Sequence, residues 1–368
     1  MLVIFSGYNQ RAVIAFLRCL AKNKYSKYVI IASSKEDSIM NTWYKKNVFC
    51  IREKKELNKD EIFTILLAIK KKYEDENMII MPTTEALNRF LLEYNQQLEQ
   101  QHIIVPLVNR DVYEKVSDKE KFWNICRKNG LLVPDNIKLS DCFMCSYVAK
   151  PKKYQTDTGK VYSPIIVTSA EQHRKFLREY NQKDFMYQEY ISGDSYYLLY
   201  YFSKNGTVHS FSQINYAQQL NGKSILVAES ARIHEEIITQ DYCKLFHKLN
   251  FIGLVMVEVR KNEKGYYMIE ANPRFWGPSQ LFVDADVPLF EEMLSDYGVN
   301  ILKRKHKIKW GTKYLWAGGC PEGVFNTEKE IWINNSKLKV VDRWNEFMAS
   351  DIYNREDTKE IFDKVEGN

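Results

Sequence analysis

Two strand-like runs, "GLVMVEVRKN" and "GYYMIEANPR", flank a short polar turn around Lys264 and restrict the chain more than any other feature. Alternate residues of a strand share a face. Val255, Val257 and Val259 then point one way, with Met256, Glu258 and Arg260 pointing the other; on the second strand Glu270 and Asn272 share a face. A hairpin symmetric about Lys264 sets Glu258 directly opposite Glu270. Opposed residues have Cβ atoms roughly 4.5–5.5 Å apart, and like charges there are destabilising. A hard divalent cation between the carboxylates removes the conflict, and Asn272 offers a third oxygen ligand. Mg²⁺ suits such a site, because it is held by one or two carboxylates with phosphates and water completing the shell. Arg274, on the same side, brings a planar fork suited to phosphate or carboxylate. The plain alternative is a solvent-facing edge hairpin whose acids pair with lysines. The order acid, amide, Pro273, Arg274, twelve residues after another strand acid, argues against it.

Upstream, "LVIF", "SGYNQRAVIAFLRCLAKN" and "YVIIAS" read as strand, helix and strand, with Ala12, Ile14, Ala15, Leu17 and Leu20 at helical spacing. Short connections suggest a βαβ unit and a parallel sheet. A lone Gly7 is not G-x-G-x-x-G, so a dinucleotide fingerprint is absent. "NMIIMPTTEALNRFLLEYNQQL" repeats the theme, and "HIIVPLV" adds a strand; residues 1–112 read as one α/β domain. Asn9 and Glu85 fall at predicted strand ends, where α/β ligands bind. Ser117 with Glu120 has the form of a capping box, and Gly130 that of a helix stop. "SYVAKP" reads as a strand ending at Lys150, where an unpaired ammonium among apolar residues calls for an anion. Asn205–Gly206 signals a hairpin.

The 368 residues are enough for two or three domains, and 45% hydrophobic with 27% charged residues is a globular composition. No apolar run reaches the roughly 18 residues that span a bilayer, and "MLVIFSGYNQ" does not read as a signal peptide. Seven scattered cysteines, with Cys142 and Cys145 as the one C-x-x-C, indicate a reducing, cytoplasmic setting rather than a zinc site. A net charge of +6 suits phosphorylated or carboxylated ligands without demanding nucleic acid. The basic run "LKRKHKIKW", which includes Lys303, reads as a solvated linker.

"MIEANPRFWGPS" with the upstream Glu258 resembles the metal-binding core of the ATP-grasp superfamily, an acid followed about a dozen residues later by E-x-N-P-R. Within it, the pattern is similar to carboxylate–amine ligases of the carbamoyl-phosphate-synthase-like group. The resemblance covers residues 1 to about 300 and implies a mixed α/β and α+β architecture. A parallel pre-ATP-grasp α/β domain would occupy 1–112, a two-lobed ATP-grasp domain 113–303 with its lid lobe at about 141–190, and a small appended element 304–368.

The remaining assignments follow from that resemblance. "DKEKFWNICRKNGLLVPD" matches the family's opening helix, making Lys119 a phosphate or nucleotide contact; a lysine in a first helical turn opposes the helix dipole, which also favours an anion there. "VAKP" makes Lys150 a phosphate contact, and "YQEYISGDS" matches the adenine hinge, with Gln188 and the backbone of Glu189 and Ile191 meeting the base. The acid expected for the ribose comes one residue early, as Asp194, with Ser195 in its place. "KKYQTDTGKVYS", with Gly159 and Lys160, falls where the family has a lid over the triphosphate, and Arg232 where it keeps a basic residue near the acyl phosphate. Glu258, Glu270 and Asn272 would hold the metal, Mg²⁺ with Mn²⁺ as the alternative, and Arg274 would neutralise the acyl phosphate. The expected reaction uses ATP to join a carboxylate to an amine, with small-molecule partners, no membrane or nucleic acid, and room for a homodimer. Its rivals are a non-catalytic nucleotide-binding protein and a polyanion-binding scaffold.

Overall fold

The computed structural model describes residues 1–74, 77–141, 146–152, 162, 164–220, 224–302, 304–319 and 330–366. Cys142, Cys145, Gly159, Lys160 and Lys303 lie outside the described residues.

The N-terminal third is a five-stranded parallel sheet in the order β3-β2-β1-β4-β5. Its elements are β1 (Leu2–Phe5), α1 (Gln10–Lys22), β2 (Tyr28–Ala32), β3 (Val48–Ile51), α2 (Lys59–Tyr73), β4 (Met78–Ile80), α3 (Glu85–Glu93), α4 (Asn95–Gln100) and β5 (Ile103–Ile104). The uninterrupted apolar strands are buried on both faces, as a covered parallel sheet requires. Val3, Phe5, Val29 and Ile31 pack with α2 and α3, while Leu2, Ile4, Ile30 and Ala32 pack with α1. The turn from β1 into α1 needs Gly7, at φ +94°, because a Cβ there would lie 1.8 Å from Ser33 Oγ.

Helices α5 (Arg110–Ser117) and α6 (Lys119–Lys128) lead into a small antiparallel sheet, β6 (Tyr147–Pro151), β7 (Ile165–Val167), α7 (Ala170–Glu179) and β8 (Phe185–Glu189), ordered β7-β6-β8. The cap of α6 is Asp118, whose carboxylate accepts from Lys121 N–H at 2.8 Å. Ser117 is the last residue of α5 and accepts from Arg89 instead, so the predicted capping box is displaced by one residue. Gly130, at φ +78°, follows the helix end as expected.

The central element is a seven-stranded antiparallel sheet built from β9 (Asp194–Phe202), β10 (Val208–Gln219), β11 (Ile225–Ala231), α8 (Ile237–Lys248), β12 (Gly253–Asn262), β13 (Gly265–Asn272), α9 (Ser279–Asp284), α10 (Leu289–Asp296), β14 (Lys313–Leu315) and β15 (Glu330–Trp332). Strand alternation divides its residues between two cores. Val255, Val257, Val259, Leu198 and Tyr200 meet α5, α6 and α8, whereas Met256, Leu199 and Tyr201 meet α1, α9 and α10. Phe16 of α1 meets Phe275 at a tilt and Phe290 edge-on, at 5.3 and 5.1 Å between ring centroids. Its removal to alanine costs about 3–5 kcal/mol.

The segment from 313 onward is less separate than an appended element. β14 extends the central sheet beside β11, β15 pairs with β10, and α11 (Lys337–Val341) and α12 (Trp344–Met348) cover that edge. Ahead of α13 (Lys359–Glu366), Asp357 forms a 2.8 Å ion pair with Arg18 of α1 and accepts from Tyr44. No helix among the described residues is long and apolar enough to cross a membrane.

Candidate active site

The hairpin of β12 and β13 opposes Glu258 and Glu270 as the alternation predicts, but by another route. Asn262 pairs with Gly265, so the turn is the two residues Glu263–Lys264 and is not centred on Lys264. Continued without interruption, that register would face Glu258 with Ile269. A bulge between the Glu258 and Val259 pairings leaves Ile269 unpaired and brings Glu270 opposite Glu258. Bulges of this kind commonly re-aim side chains at sites.

Glu258 is 9% exposed, and Ser195 Oγ lies 3.5 Å from its Oε1. Burial and the neighbouring Glu270 push its carboxyl above the ordinary range. Burial also works against ionisation of Glu270, but Lys119, Asn272 and Arg274 outweigh it and hold the group well below the ordinary value. Lys119 Nζ sits 2.7 Å from Glu270 Oε2, and Asn272 donates to Oε1 at 2.8 Å. Arg274 donates to Asn272 Oδ1 at 3.4 Å and to its neighbour's carbonyl at 2.9 Å. Two facing acids, one of them without a cation within ion-pairing distance among the described residues, form a hard-oxygen donor set that fits Mg²⁺ or Mn²⁺.

Two cavities meet at Glu270. The first lies between the small sheet and the hairpin and brings together Lys119, Lys150, Gln188, Glu189, Ile191, Glu258 and Glu270. Alternation along β6 puts Val148 and Lys150 on this cavity, with Tyr147 and Ala149 in the core of the small lobe. Desolvation, then the Lys119 charge, lowers the Lys150 ammonium to about 8, which an anionic ligand would reverse. Gln188 is 5% exposed and its Oε1 is buried without a hydrogen-bond partner, so it can accept from an exocyclic amine. The Glu189 N–H is spent on the Asp135 carbonyl at 2.8 Å.

The second cavity is lined by Asn9, Arg11, Glu85, Tyr197, Asn272, Arg274 and Trp276, among others. Asn9 and Glu85 thus lie together at the end of the parallel sheet. Asn9, left-handed at φ 52°, donates to the carbonyls of Thr83 and Phe275, both at 2.9 Å, and so ties α1 to the Arg274 loop.

Arg11 was not legible as a site residue, because in sequence it is one polar position on an amphipathic helix. Its guanidinium donates to Ile225 O, Tyr314 OH and Ser224 Oγ and stacks 3.6 Å from the Trp316 ring. A Cβ on Gly277 would lie 2.7 Å from its Nη2, so a larger residue there would displace the guanidinium. Neither Arg11 nor Arg274 has a carboxylate within ion-pairing distance among the described residues. Arg260, 7% exposed, also lines the first cavity, and its alternation with Glu258 along the strand is the sequence signal for it.

Two expected residues lie elsewhere. Arg232 stacks 4.1 Å from the Trp310 ring, pairs with Glu235 at 3.4 Å and lines neither cavity. Asp194 begins β9, an interior strand of the central sheet, and accepts from Asn334 at 2.8 Å, outside both cavities, while Ser195 is turned inward toward Glu258 and Asn215.

No family model and no curated protein sequence matches the chain. Solved structures do. The biotin carboxylase domain of 2-oxoglutarate carboxylase from Hydrogenobacter thermophilus, crystallised with MgADP, ADP and bicarbonate, superposes with a TM-score of 0.58 at 13% identity, over 85% of this chain and 73% of that one. Biotin carboxylase from Campylobacter jejuni gives 0.58 at 14%, over 85% and 74%. An L-amino acid ligase from Bacillus licheniformis gives 0.54 at 15%, over 82% and 74%. The chain has the ATP-grasp fold.

Proposed function

We propose that this ATP-grasp protein is an ATP-dependent ligase that activates a carboxylate as an acyl phosphate and joins it to an amine, releasing ADP and phosphate. The observation that carries the reading is the place of Glu270 on both cavities, the first also lined by Lys119, Lys150 and Arg260, the second by Arg11 and Arg274, two guanidiniums without an ion-pair partner among the described residues. Beside Glu85 and Glu270, those two guanidiniums offer a place for a substrate carboxylate next to a γ-phosphate in the first cavity.

In this reading Gln188 and the hinge backbone hold the base, and Lys119 and Lys150 meet the phosphates. Arg11 and Arg274 orient the substrate carboxylate, whose oxygen attacks the γ-phosphorus. The bond to ADP breaks, and the acyl phosphate keeps the transferred group. The amine nitrogen then attacks the acyl carbon, phosphate leaves, and the amine proton passes to solvent. Mg²⁺ or Mn²⁺, held by Glu258, Glu270 and Asn272, would supply charge neutralisation at the β- and γ-phosphates. The chain's own contribution is positioning and preorganised positive charge, which phosphoryl transfer mainly needs. Arg274 and Arg11 share the role first expected of Arg274 and Arg232.

Thermal melting with ATP, with and without Mg²⁺, tests the nucleotide site, and ADP release across panels of carboxylates and amines tests the reaction. A Mg²⁺-dependent rise in Tm that weakens in Glu270→Gln supports the reading. No shift at millimolar ATP removes it.

A further inference from the structure

A third cavity, of about 510 Å³, opens at the carboxyl ends of β1 and β4. That volume lies within the range of small-molecule sites, and the carboxyl edge of a parallel sheet is where α/β folds bind ligands. Phe5, Ser6, Arg52, Thr83 and Leu87 line its floor, with Lys55 and Glu56 at the exposed rim.

Arg52 is the anomaly. It is 5% exposed, its Nη1 reaches the carbonyls of Lys54 and Glu56 at only 3.5 and 3.3 Å, and its Nε is buried without a hydrogen-bond partner. No carboxylate lies within ion-pairing distance of it among the described residues. A buried guanidinium with no counter-charge is costly, and its fork matches a carboxylate or phosphate. Ser6 Oγ and Thr83 Oγ1 are engaged with Gln10, Asp37 and the Phe5 carbonyl, so they shape the floor without neutralising the charge. Of the rim charges, Lys55 and Glu56 offset each other and leave the Arg52 charge in excess.

The cavity is not isolated. Tyr8, Thr84 and Ala86 line both it and the cavity of Arg11 and Arg274. We propose that Arg52 anchors a second anionic group, a carboxylate or a phosphate, on the same substrate whose first carboxylate meets Arg11 and Arg274. The proposal rests on the ligase reading and narrows its substrate to a dianionic acid.

The full chain is titrated with dicarboxylates from succinate to suberate, with monocarboxylates of equal length, and with ω-phosphonocarboxylates of equal length. Binding is followed by calorimetry for wild type, Arg52→Gln and Arg52→Lys. At one chain length a dianion binds wild type about tenfold or more tighter than its monoacid; Arg52→Gln abolishes that preference and Arg52→Lys weakens it several-fold. The better dianion distinguishes carboxylate from phosphate. Equal binding of mono- and dianions at every length, or an undiminished preference in Arg52→Gln, overturns the proposal. If Arg52→Gln does not fold, Arg52→Lys decides, and an unchanged affinity there overturns it. Mg²⁺-dependent ATP binding without dianion preference would defeat this proposal alone, while the reverse pattern would defeat the ligase reading.

Discussion

Glu258 and Glu270 face each other across the β12–β13 ladder because Ile269, one residue before Glu270, is bulged out of it. The side-chain period of a strand is two, so a slip of one residue moves every later side chain to the other face. Deleting Ile269 removes the unpaired residue and closes the ladder: Met268 stays opposite Val259, Glu270 follows it opposite Glu258, and Asn272 keeps its face. The expected result is a protein with native-like circular dichroism that keeps its Mg²⁺-dependent response to ATP. A folded deletion variant that loses that response would show that the bulge itself, beyond the facing of Glu258 and Glu270, is needed at the site.

Glu270→Gln should act on ligand binding more than on stability. Lys119, its 2.7 Å partner, is 53% exposed along its side chain, so that ion pair alone contributes less than about 1 kcal/mol, with Asn272 and Arg274 adding to the hold on the ionised carboxylate. Tm without ligand should therefore fall modestly, while ADP release falls by about a hundredfold or more, the scale seen when one charge-stabilising group is lost. Parallel melting curves and an ADP-release assay check both halves. A large drop in ligand-free Tm would mean that the residue is chiefly structural.

Much of this site could be read from the chain, and the failures have physical causes. Opposition of Glu258 and Glu270 followed from spacing, yet the assumed turn was wrong: a two-residue turn and a bulge sum to the same offset as a symmetric turn about Lys264. Alternation cannot tell them apart. Ser117 and Asp118 are equally good caps in isolation, and the choice is made by α5 running through Ser117. Arg11 acquires its place on the second cavity only because Ser224, Tyr314 and Trp316, more than two hundred residues away, converge on it. Strands as short as β14 and β15, three residues each, carry no period of their own and are recruited by the exposed edges of β10 and β11.

Lys150 offers a pH test. Desolvation and Lys119 lower its ammonium from 10.5 to about 8 in the folded chain. Between those values the unfolded state holds the proton and the folded state does not, so stability rises as pH rises through that window. Below about pH 8 the buried charge is a full cost. Lys150→Met should therefore raise the ligand-free Tm at pH 7, by an amount that shrinks toward pH 10, while abolishing ATP binding. Melting from pH 7 to 10 reads the first effect and calorimetry with ATP and Mg²⁺ the second. A variant no more stable than wild type at pH 7 would show that Lys150 is not strained by burial.

Gly277→Ala probes Arg11 without touching it. The added methyl would lie 2.7 Å from Arg11 Nη2, so the guanidinium must shift from where Ser224 and the Ile225 carbonyl hold it. Its stacking on Trp316 limits where it can go. If Arg11 orients the substrate carboxylate, the KM for that acid rises roughly tenfold or more, the worth of one charge-assisted contact. The KM for ATP is unchanged if ATP occupies the first cavity, which Arg11 does not line. Arg11→Met should reproduce the effect, and the double variant should be no worse than Arg11→Met alone, since both changes remove one interaction. Additive losses in the double variant would separate Gly277 from Arg11 and leave the glycine as a feature of the turn only.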